Sequence, residues 1–376
     1  MKRIVFLTGT RADYGKLKSI MLEVDKSPNF DLHVFITGMH MHSEFGSTYN
    51  EVLKDGYKNT FMFINQRVDQ PMDTTLSKTV DGFSSYIAEV KPDLIIVHGD
   101  RLEALAATIV GAMNNILVGH IEGGEVSGTI DESIRHAVTK LAHIHFVSNE
   151  ESKNRILQLG EQENRVFVVG SPDIDIMLSP NIPSIEKTKQ RYDINFDEYA
   201  LALFHPVTTS FREMANISES FVKALEKSNK NYVLIHPNND YGRTFIVEAY
   251  QKLETNKRFR VFQSIRFEYF LSLLKHANFM IGNSSAGIRE AFIYRTPSID
   301  IGNRQKGRYQ PSSYITHSSY CTDEILNAIN NISKDIPPSK VDMVFGEGDS
   351  KDKFMKILDS ETIWSFELQK YFMDKG

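Results

Sequence analysis

The chain has one cysteine, Cys321, in 376 residues, so no internal disulfide can form and no thiolate cluster can hold a metal. No apolar run approaches the ~20 residues that span a bilayer. The opening "MKRIVFLTG" is too short for a signal h-region, and the stretch behind it is polar. A cytoplasmic protein without a membrane partner is therefore expected. The net charge of -5 leaves no general electrostatic footprint for nucleic acid. No Gly-x-Gly-x-x-Gly follows any apolar run, so a tightly held dinucleotide is not expected. The first run opens into "GTRADYGK" (residues 9–16), which fails as a P-loop. Five residues separate Gly9 from Gly15, and Leu17 stands where Ser or Thr would ligate magnesium. A glycine turn with Arg11 and Lys16 nearby suits a loosely held anion or a plain solvated turn.

What is present is ordinary globular material: 41% hydrophobic and 24% charged residues, long enough for two domains of ~150–200 residues. Short runs rich in Val, Ile and Phe alternate with amphipathic stretches. The runs are "RIVFLTG", "DLHVFITG", "FMFIN", "DLIIVHG", "NILVGHIEGG", "HIHFVSN" and "RVFVVG". Such alternation predicts a parallel sheet covered by helices on both faces. "SPDIDIMLSPNIPSIEKTKQ", from Ser171, has three prolines and no clean period, and suits a linker. The alternation restarts with "YALALFHP", "NYVLIHP", "FRVFQS", "FMIGNSS" and "TPSIDIG"; the stretch from Lys351 to Lys375 reads as one or two helices. The expected architecture is α/β: two Rossmann-like, doubly wound domains facing a central cleft. The boundaries are 1–175, completed by a C-terminal helix at 360–376, and 176–359.

In such sheets ligands bind beyond the carboxyl ends of the strands. The unusual polar residues lie there. Asp100 ends "DLIIVHGD", Glu122 ends the next run before Gly123-Gly124, and Asp131 starts the following helix. Adjacent strands lie ~5 Å apart, so Asp100 and Glu122 can approach, and like charges in a dry cleft split into an acid and a base. Glu132 and Lys140 read as a solvated helix face, and Asp131 could instead cap its helix and pair with Arg135. His143 and His145 share a strand face, but no carboxylate or cysteine completes a tetrahedral set, so no metal is expected and backbone bonding is. In the second half, His205 and His236 each end a run as His-Pro. "GNSSAGIRE" would open a helix whose hydroxyls and N–H groups seat a phosphate, with Glu290 one turn in for sugar hydroxyls.

These pieces, with "VHGDRLEA", "HIEGGEVSGTIDESIRHAVTKLAHIH", "GSPDID", "HPNND" and "GNSSAGIREA" in order, resemble the UDP-N-acetylglucosamine 2-epimerases over nearly the whole chain. The likeness is greatest to the hydrolysing branch of bacterial sialic acid biosynthesis, and the non-hydrolysing branch differs where this chain reads "EGGEVSGTIDES". The resemblance implies a glycosyltransferase-B arrangement, with the C-terminal helix crossing back onto the first domain. It implies UDP-N-acetylglucosamine and UDP in the cleft, no metal or other cofactor, and a homodimer or homotetramer. Asp100, Glu122 and Asp131 match catalytic carboxylates. Arg11, Lys16, His40, Arg101, His205, His236, Asn238, Ser284, Ser285, Gly287 and Glu290 fall to the nucleotide sugar, and Phe270 to the uracil. The implied products are N-acetylmannosamine and UDP. Rival readings are a non-hydrolysing epimerase, a glycosyltransferase, and a non-catalytic UDP-sugar sensor.

Overall fold

The computed structural model describes residues 1–68, 70–127, 130–238, 240–307, 313–333 and 345–374. The chain divides into two compact units, one of Met1–Glu125, Ile130–Ser179 and Met343–Gly376, the other of Val126–Thr129 and Pro180–Asp342.

Unit 1 is a parallel sheet of β1 (Lys2–Thr8), β2 (Phe30–Ile36), β3 (Asn59–Met62), β4 (Leu94–His98), β5 (Leu117–Ile121), β6 (Ile144–Val147) and β7 (Val166–Val168). Its order is β3-β2-β1-β4-β5-β6-β7. Strand residues point alternately to opposite faces. Thus Ile4 and Phe6 of β1 enter one core with helix Arg11–Lys26 and with Phe354 and Leu358 of helix Ser350–Leu358. Val5 and Leu7 enter the other core with Phe83, Ile87, Ala104 and Ala107 of helices Met72–Val90 and Leu102–Met113. Burial on both faces is why these strands read as continuous apolar runs.

Unit 2 repeats the plan with β8 (Ala200–Leu203), β9 (Tyr232–Ile235), β10 (Phe259–Phe262), β11 (Met280–Gly282), β12 (Ser298–Ile301) and β13 (Ile315–Ser318). The order is β10-β9-β8-β11-β12-β13, with the described pairings parallel. In each sheet the strand order reverses once, between β1 and β4 and between β8 and β11. These are the switch points where doubly wound sheets open a crevice.

Two expectations need correction, and one strand was missed. The stretch from Ser171 is not plain linker: Pro172 sits at the first position of helix Pro172–Met177, where its missing N–H is harmless, and Ser184 caps helix Ile185–Tyr192. The final stretch holds helices Ser350–Leu358 and Glu361–Trp364, and residues 366–374 continue without helix; Lys375 and Gly376 lie outside the described residues. β13 was not read from the sequence, because two of its four side chains are exposed at the sheet edge and it carries no apolar run. Among the described residues no helix is long and apolar enough to cross a membrane.

Candidate active site

At the unit 1 switch point, β1 turns into its helix at Gly9 and Thr10. The Asp13 carboxylate closes this turn. It accepts from the N–H groups of Gly9 (2.9 Å) and Thr10 (3.1 Å) and from the Thr8 hydroxyl (2.6 Å), while Thr10 caps the Asp13 N–H. The turn therefore spends the Gly9 and Thr10 N–H donors on its own carboxylate. Arg11 pairs with Glu51. His40 is fully buried, with Nε2 3.0 Å from the Thr8 hydroxyl and Nδ1 2.7 Å from that of Thr48, and burial pushes its pKa down to about 4. It cannot reach a ligand without breaking those bonds.

β4 and β5 lead to the acidic cluster. His98 faces Ile121 across the pair, and the Gly99 N–H continues the ladder to the Ile121 carbonyl (2.9 Å). His120, fully buried and pushed down to about 3 by that burial, donates from Nε2 to the Gly99 carbonyl at 2.8 Å. Glu122 follows with φ +64, in the left-handed region that a glutamate adopts only when its surroundings impose it. The imposition is visible next door: a Cβ on Gly124 would lie 2.2 Å from the Ser152 carbonyl oxygen, so only glycine lets the loop pass.

Glu122 is buried. Its Oε1 accepts from the Ser171 hydroxyl at 2.5 Å, both oxygens lie 3.4 Å from Lys16 Nζ, and Oε2 lies 3.2 Å from His98 Nε2. Lys16 also stands 3.5 Å from Asp173, which is fully buried. Arg135 links the other expected carboxylate: its guanidinium pairs with Asp100 and donates to the Glu122 main-chain carbonyl at 2.5 Å. Arg135 thus turns to Asp100, which the sequence did not show. Asp131 lies in the first turn of helix Ile130–Leu141, partly exposed. Arg101 precedes helix Leu102–Met113 and reaches Glu103 at 3.4 Å. Sequence reasoning missed Ser171 and Asp173 as part of this cluster; "GSPDID" was the available signal.

His143 and His145 are held away from this cluster. His143 Nδ1 accepts the Val118 N–H (3.1 Å), and its Nε2 donates to the Leu368 carbonyl (3.2 Å). His145 Nε2 lies 3.3 Å from Glu161, a buried carboxylate that also takes Lys140 (2.7 Å) and Lys370 (2.5 Å). Among the described residues no group of three His, Cys, Asp or Glu is placed to hold a metal ion.

In unit 2 the switch point is fastened by Asn283. Its Oδ1 accepts the His205 N–H (2.6 Å) and its Nδ2 donates to the His205 carbonyl (2.9 Å). The Asn283 carbonyl accepts from Arg304 (3.2 Å) and Gln305 (2.7 Å). Gly282 is required here, since a Cβ would lie 2.0 Å from the Leu203 carbonyl oxygen. His205 Nδ1 accepts the Asn238 N–H at 3.2 Å, which places the ring proton on Nε2 as a donor. His236 follows β9 directly with Nδ1 buried, and burial with Arg243 beside it lowers its pKa to about 4.

The "GNSSAGIRE" segment departs from expectation. It forms a 3₁₀ turn, Ser285–Gly287, and then a single helical turn, Glu290–Ile293. The Ala286 N–H bonds the Ser284 hydroxyl (3.3 Å), and the N–H groups of Gly287 and Ile288 bond the Ser284 and Ser285 carbonyls (3.1 and 3.0 Å). Gly287 is a poor helix former, and Arg289, at φ −108 and ψ −74, interrupts the helical backbone between the two turns. Glu290 is buried, and Phe270 is buried within helix Phe267–His276.

Two parallel α/β units, each with polar side chains gathered where its strand order reverses, define a two-domain α/β protein. The model of the UDP-N-acetylglucosamine 2-epimerase family matches residues 22–359, and the chain belongs to that family. It is 45% identical over 377 residues to the UDP-N-acetylglucosamine 2-epimerase of Neisseria meningitidis serogroup B, covering 100% of this chain and 99% of that one. It is 30% identical to the hydrolysing UDP-N,N'-diacetylbacillosamine 2-epimerase of Legionella pneumophila, with 98% and 99% covered. The crystal structure of Methanocaldococcus jannaschii UDP-GlcNAc 2-epimerase in complex with UDP-GlcNAc and UDP shares the fold, with TM-score 0.79, 23% identity, and 95% of this chain and 99% of that chain covered.

Proposed function

We propose that the chain is a hydrolysing UDP-N-acetylglucosamine 2-epimerase, converting UDP-N-acetylglucosamine and water to N-acetylmannosamine and UDP. The observation that carries this reading is Glu122: a buried carboxylate on a strained backbone at a strand end, with Lys16, His98 and Ser171 upon it and the Asp100–Arg135 pair alongside. A strained, buried acid has no structural advantage over an apolar residue, so it points to chemistry. Relatives from Legionella pneumophila and Campylobacter jejuni named as hydrolysing 2-epimerases, at 30% and 33% identity, support the hydrolysing form. A polysialic acid biosynthesis protein of Escherichia coli, at 30% identity, supports the pathway class.

The hydrogen at C2 of the sugar has no adjacent carbonyl and is not acidic. If the C1–oxygen bond breaks first, its electrons leave with UDP and positive charge at C1 acidifies C2–H. A carboxylate among Asp100, Glu122 and Asp131 takes that proton, and the C–H electrons form the C1–C2 double bond of 2-acetamidoglucal. Water then adds to C1, giving up its proton to a carboxylate, while a proton reaches C2 from the opposite face. In this reading unit 1 performs the chemistry. Unit 2 holds UDP through His205, Asn238, Ser284, Ser285 and Glu290, and the chain works as a homodimer or homotetramer.

Reaction in heavy water tests the proposal. N-Acetylmannosamine should carry deuterium at C2, and oxygen-18 from water should enter at C1 of the sugar and not UDP. Retention of the original C2 hydrogen excludes elimination. Release of UDP-N-acetylmannosamine instead of free sugar establishes the second reading, a non-hydrolysing epimerase, which the name of the Neisseria relative leaves open.

A further inference from the structure

The C-terminal segment buries little of itself, yet it is tied to unit 1 bond by bond. From Ser365 to Asp374 only Phe366 and Lys370 are half-buried, and the rest are exposed. Arg165 lies over the Phe366 ring at 4.9 Å and donates to the Glu367 carbonyl at 2.8 Å, and His143 donates to the Leu368 carbonyl at 3.2 Å. Lys370 ends the series. Its ammonium donates to the carbonyls of Ala142 (2.6 Å) and Thr139 (3.2 Å) and to Glu161 (2.5 Å). An ammonium has three N–H groups, and these three acceptors match them. The two carbonyls belong to the C-terminal end of helix Ile130–Leu141, where intrahelical donors run out. The His143 N–H, which would continue the helix onto Thr139, bonds the Val118 carbonyl of β5 instead, at 2.8 Å. A cation is also favoured at that end of a helix.

Two paths lead from Thr139 into the acidic cluster. Four residues back on the same helix face stands Arg135, whose guanidinium pairs with Asp100 and donates to the Glu122 carbonyl. The Thr139 hydroxyl lies 3.4 Å from Nδ1 of His120, and Nε2 of that buried ring donates at 2.8 Å to the carbonyl of Gly99, the residue before Asp100. We propose that Lys370 is a positioning residue for the reaction. By holding the last turn of helix Ile130–Leu141 it sets where Arg135 and the His120 ring stand, and through them where the Asp100 carboxylate and the Glu122 main chain stand. A displacement of about 1 Å at reacting groups is enough to cost ~10²-fold in rate, so a tie at the far end of a stiff helix can matter to chemistry it never touches. This inference rests on the proposed reaction for its purpose but not for its geometry.

A double-mutant cycle with Arg135 tests it on the full chain. Lys370→Ala should lower kcat with UDP-N-acetylglucosamine by about tenfold or more, with KM within about threefold. In an Arg135→Lys background the same substitution should lower kcat by clearly less, under about threefold, because the group it positions has already been changed. Hydrogen exchange read by mass spectrometry gives a second measure that needs no turnover. In Lys370→Ala, exchange should quicken by about tenfold or more at the far end of the paths, in residues 99–101 and 122–124, as well as at residues 139–142. If wild-type protein does not turn over UDP-N-acetylglucosamine, the proposed function fails while hydrogen exchange still decides the place of Lys370. Should Lys370→Ala not fold, Lys370→Gln, which keeps two donors without the charge, carries both comparisons, with an expected fall in kcat of about threefold that vanishes in the Arg135→Lys background. An equal fold-loss of kcat in both backgrounds, or faster exchange confined to residues 139–142 and 366–374, overturns the proposal and leaves Lys370 a structural tie.

Discussion

Replacing Glu122 by Gln should separate stability from activity. The substitution removes a charge-assisted bond from Ser171 and a share of Lys16, interactions worth ~1.5–3 kcal/mol each when a charged group is involved. It returns much of this. The amide oxygen still accepts from Ser171 at ~0.5–1.5 kcal/mol, and one of two buried carboxylates no longer pays a desolvation penalty of several kcal/mol. Lys16 keeps Asp173, so no ammonium is orphaned. The backbone strain at φ +64 is the same in both side chains. The net change should fall within about 2 kcal/mol, a shift of no more than ~4–8 °C in the melting temperature of a unit this size. Loss of an acid–base group should meanwhile lower kcat by ~10²–10⁴, equivalent to ~3–5 kcal/mol of barrier. Calorimetry and steady-state kinetics on the same preparation measure both. A melting temperature lowered by much more than 8 °C, with kcat reduced less than tenfold, would refute a catalytic place for Glu122 and make it a structural ligand of Lys16.

The remaining predictions concern the nucleotide half, the C-terminal segment and acid. Ser285→Ala with Glu290→Ala should raise KM for UDP-N-acetylglucosamine through hydrogen bonds worth ~1–3 kcal/mol each, with a smaller effect on kcat; unchanged protection by UDP would place the nucleotide elsewhere. Asn283→Ala removes both bonds that fix the His205 main chain and should cost ~1–3 kcal/mol of stability, read by urea unfolding. Lys370→Ala leaves buried Glu161 with Lys140 and His145 only, and should make residues beyond Glu361 a faster proteolytic target than in wild type. Burial holds His40 and His143 at about 4 and His120 at about 3, so between pH 6.5 and 4 the unfolded chain binds protons that the folded one refuses. Burial pushes Glu161 up, but His145, Lys370 and Lys140 together hold it down at about 2, so its contribution is present above pH 4.5 and lost as pH falls from there toward 2. Unfolding free energy should therefore decline from pH 6.5 downward and more steeply below 4.5; a flat profile to pH 4 contradicts the buried neutral histidines.

The parallel sheets were legible because burial on both faces writes itself as unbroken Val, Ile and Phe runs, and "RIVFLTG" becomes β1 with both cores on its two faces. β13 was not, since an edge strand with two exposed side chains carries no such run. The acidic residues Asp100 and Glu122 were legible as carboxylates at strand ends. Their partners were less so: Arg135 lies 13 residues beyond Glu122, and Asp173 comes from a helix that starts 50 residues beyond it, and local pattern carries no record of contacts at such separations. How the glycine turn closes was not legible, because Asp13 looks like any charged residue of a first turn until its carboxylate is seen on the Gly9 and Thr10 N–H groups. "GNSSAGIRE" misled for the opposite reason, being rich in capping residues whose hydroxyl and carbonyl groups closed a 3₁₀ turn instead.

The segment by which the chain returns to unit 1 packs beside the segment that precedes its last departure, after Ser179. The Ser171 N–H bonds the Phe345 carbonyl at 2.6 Å, Gly170 lies against Gly346, and Asp175 caps helix Ser350–Leu358. Yet Phe354, buried against Phe6 and Phe146, and Leu358, buried in the same core, cover a sheet whose strands were complete by Val168. During synthesis the ribosome must therefore make all of unit 2 before unit 1 can close one of its apolar faces. At ~5–20 residues per second that interval lasts roughly 10–40 seconds. Through it the nascent sheet carries a sticky, half-dressed surface, and a chain stalled or truncated before residue 350 would be a substrate for chaperones and proteases rather than a smaller folded protein.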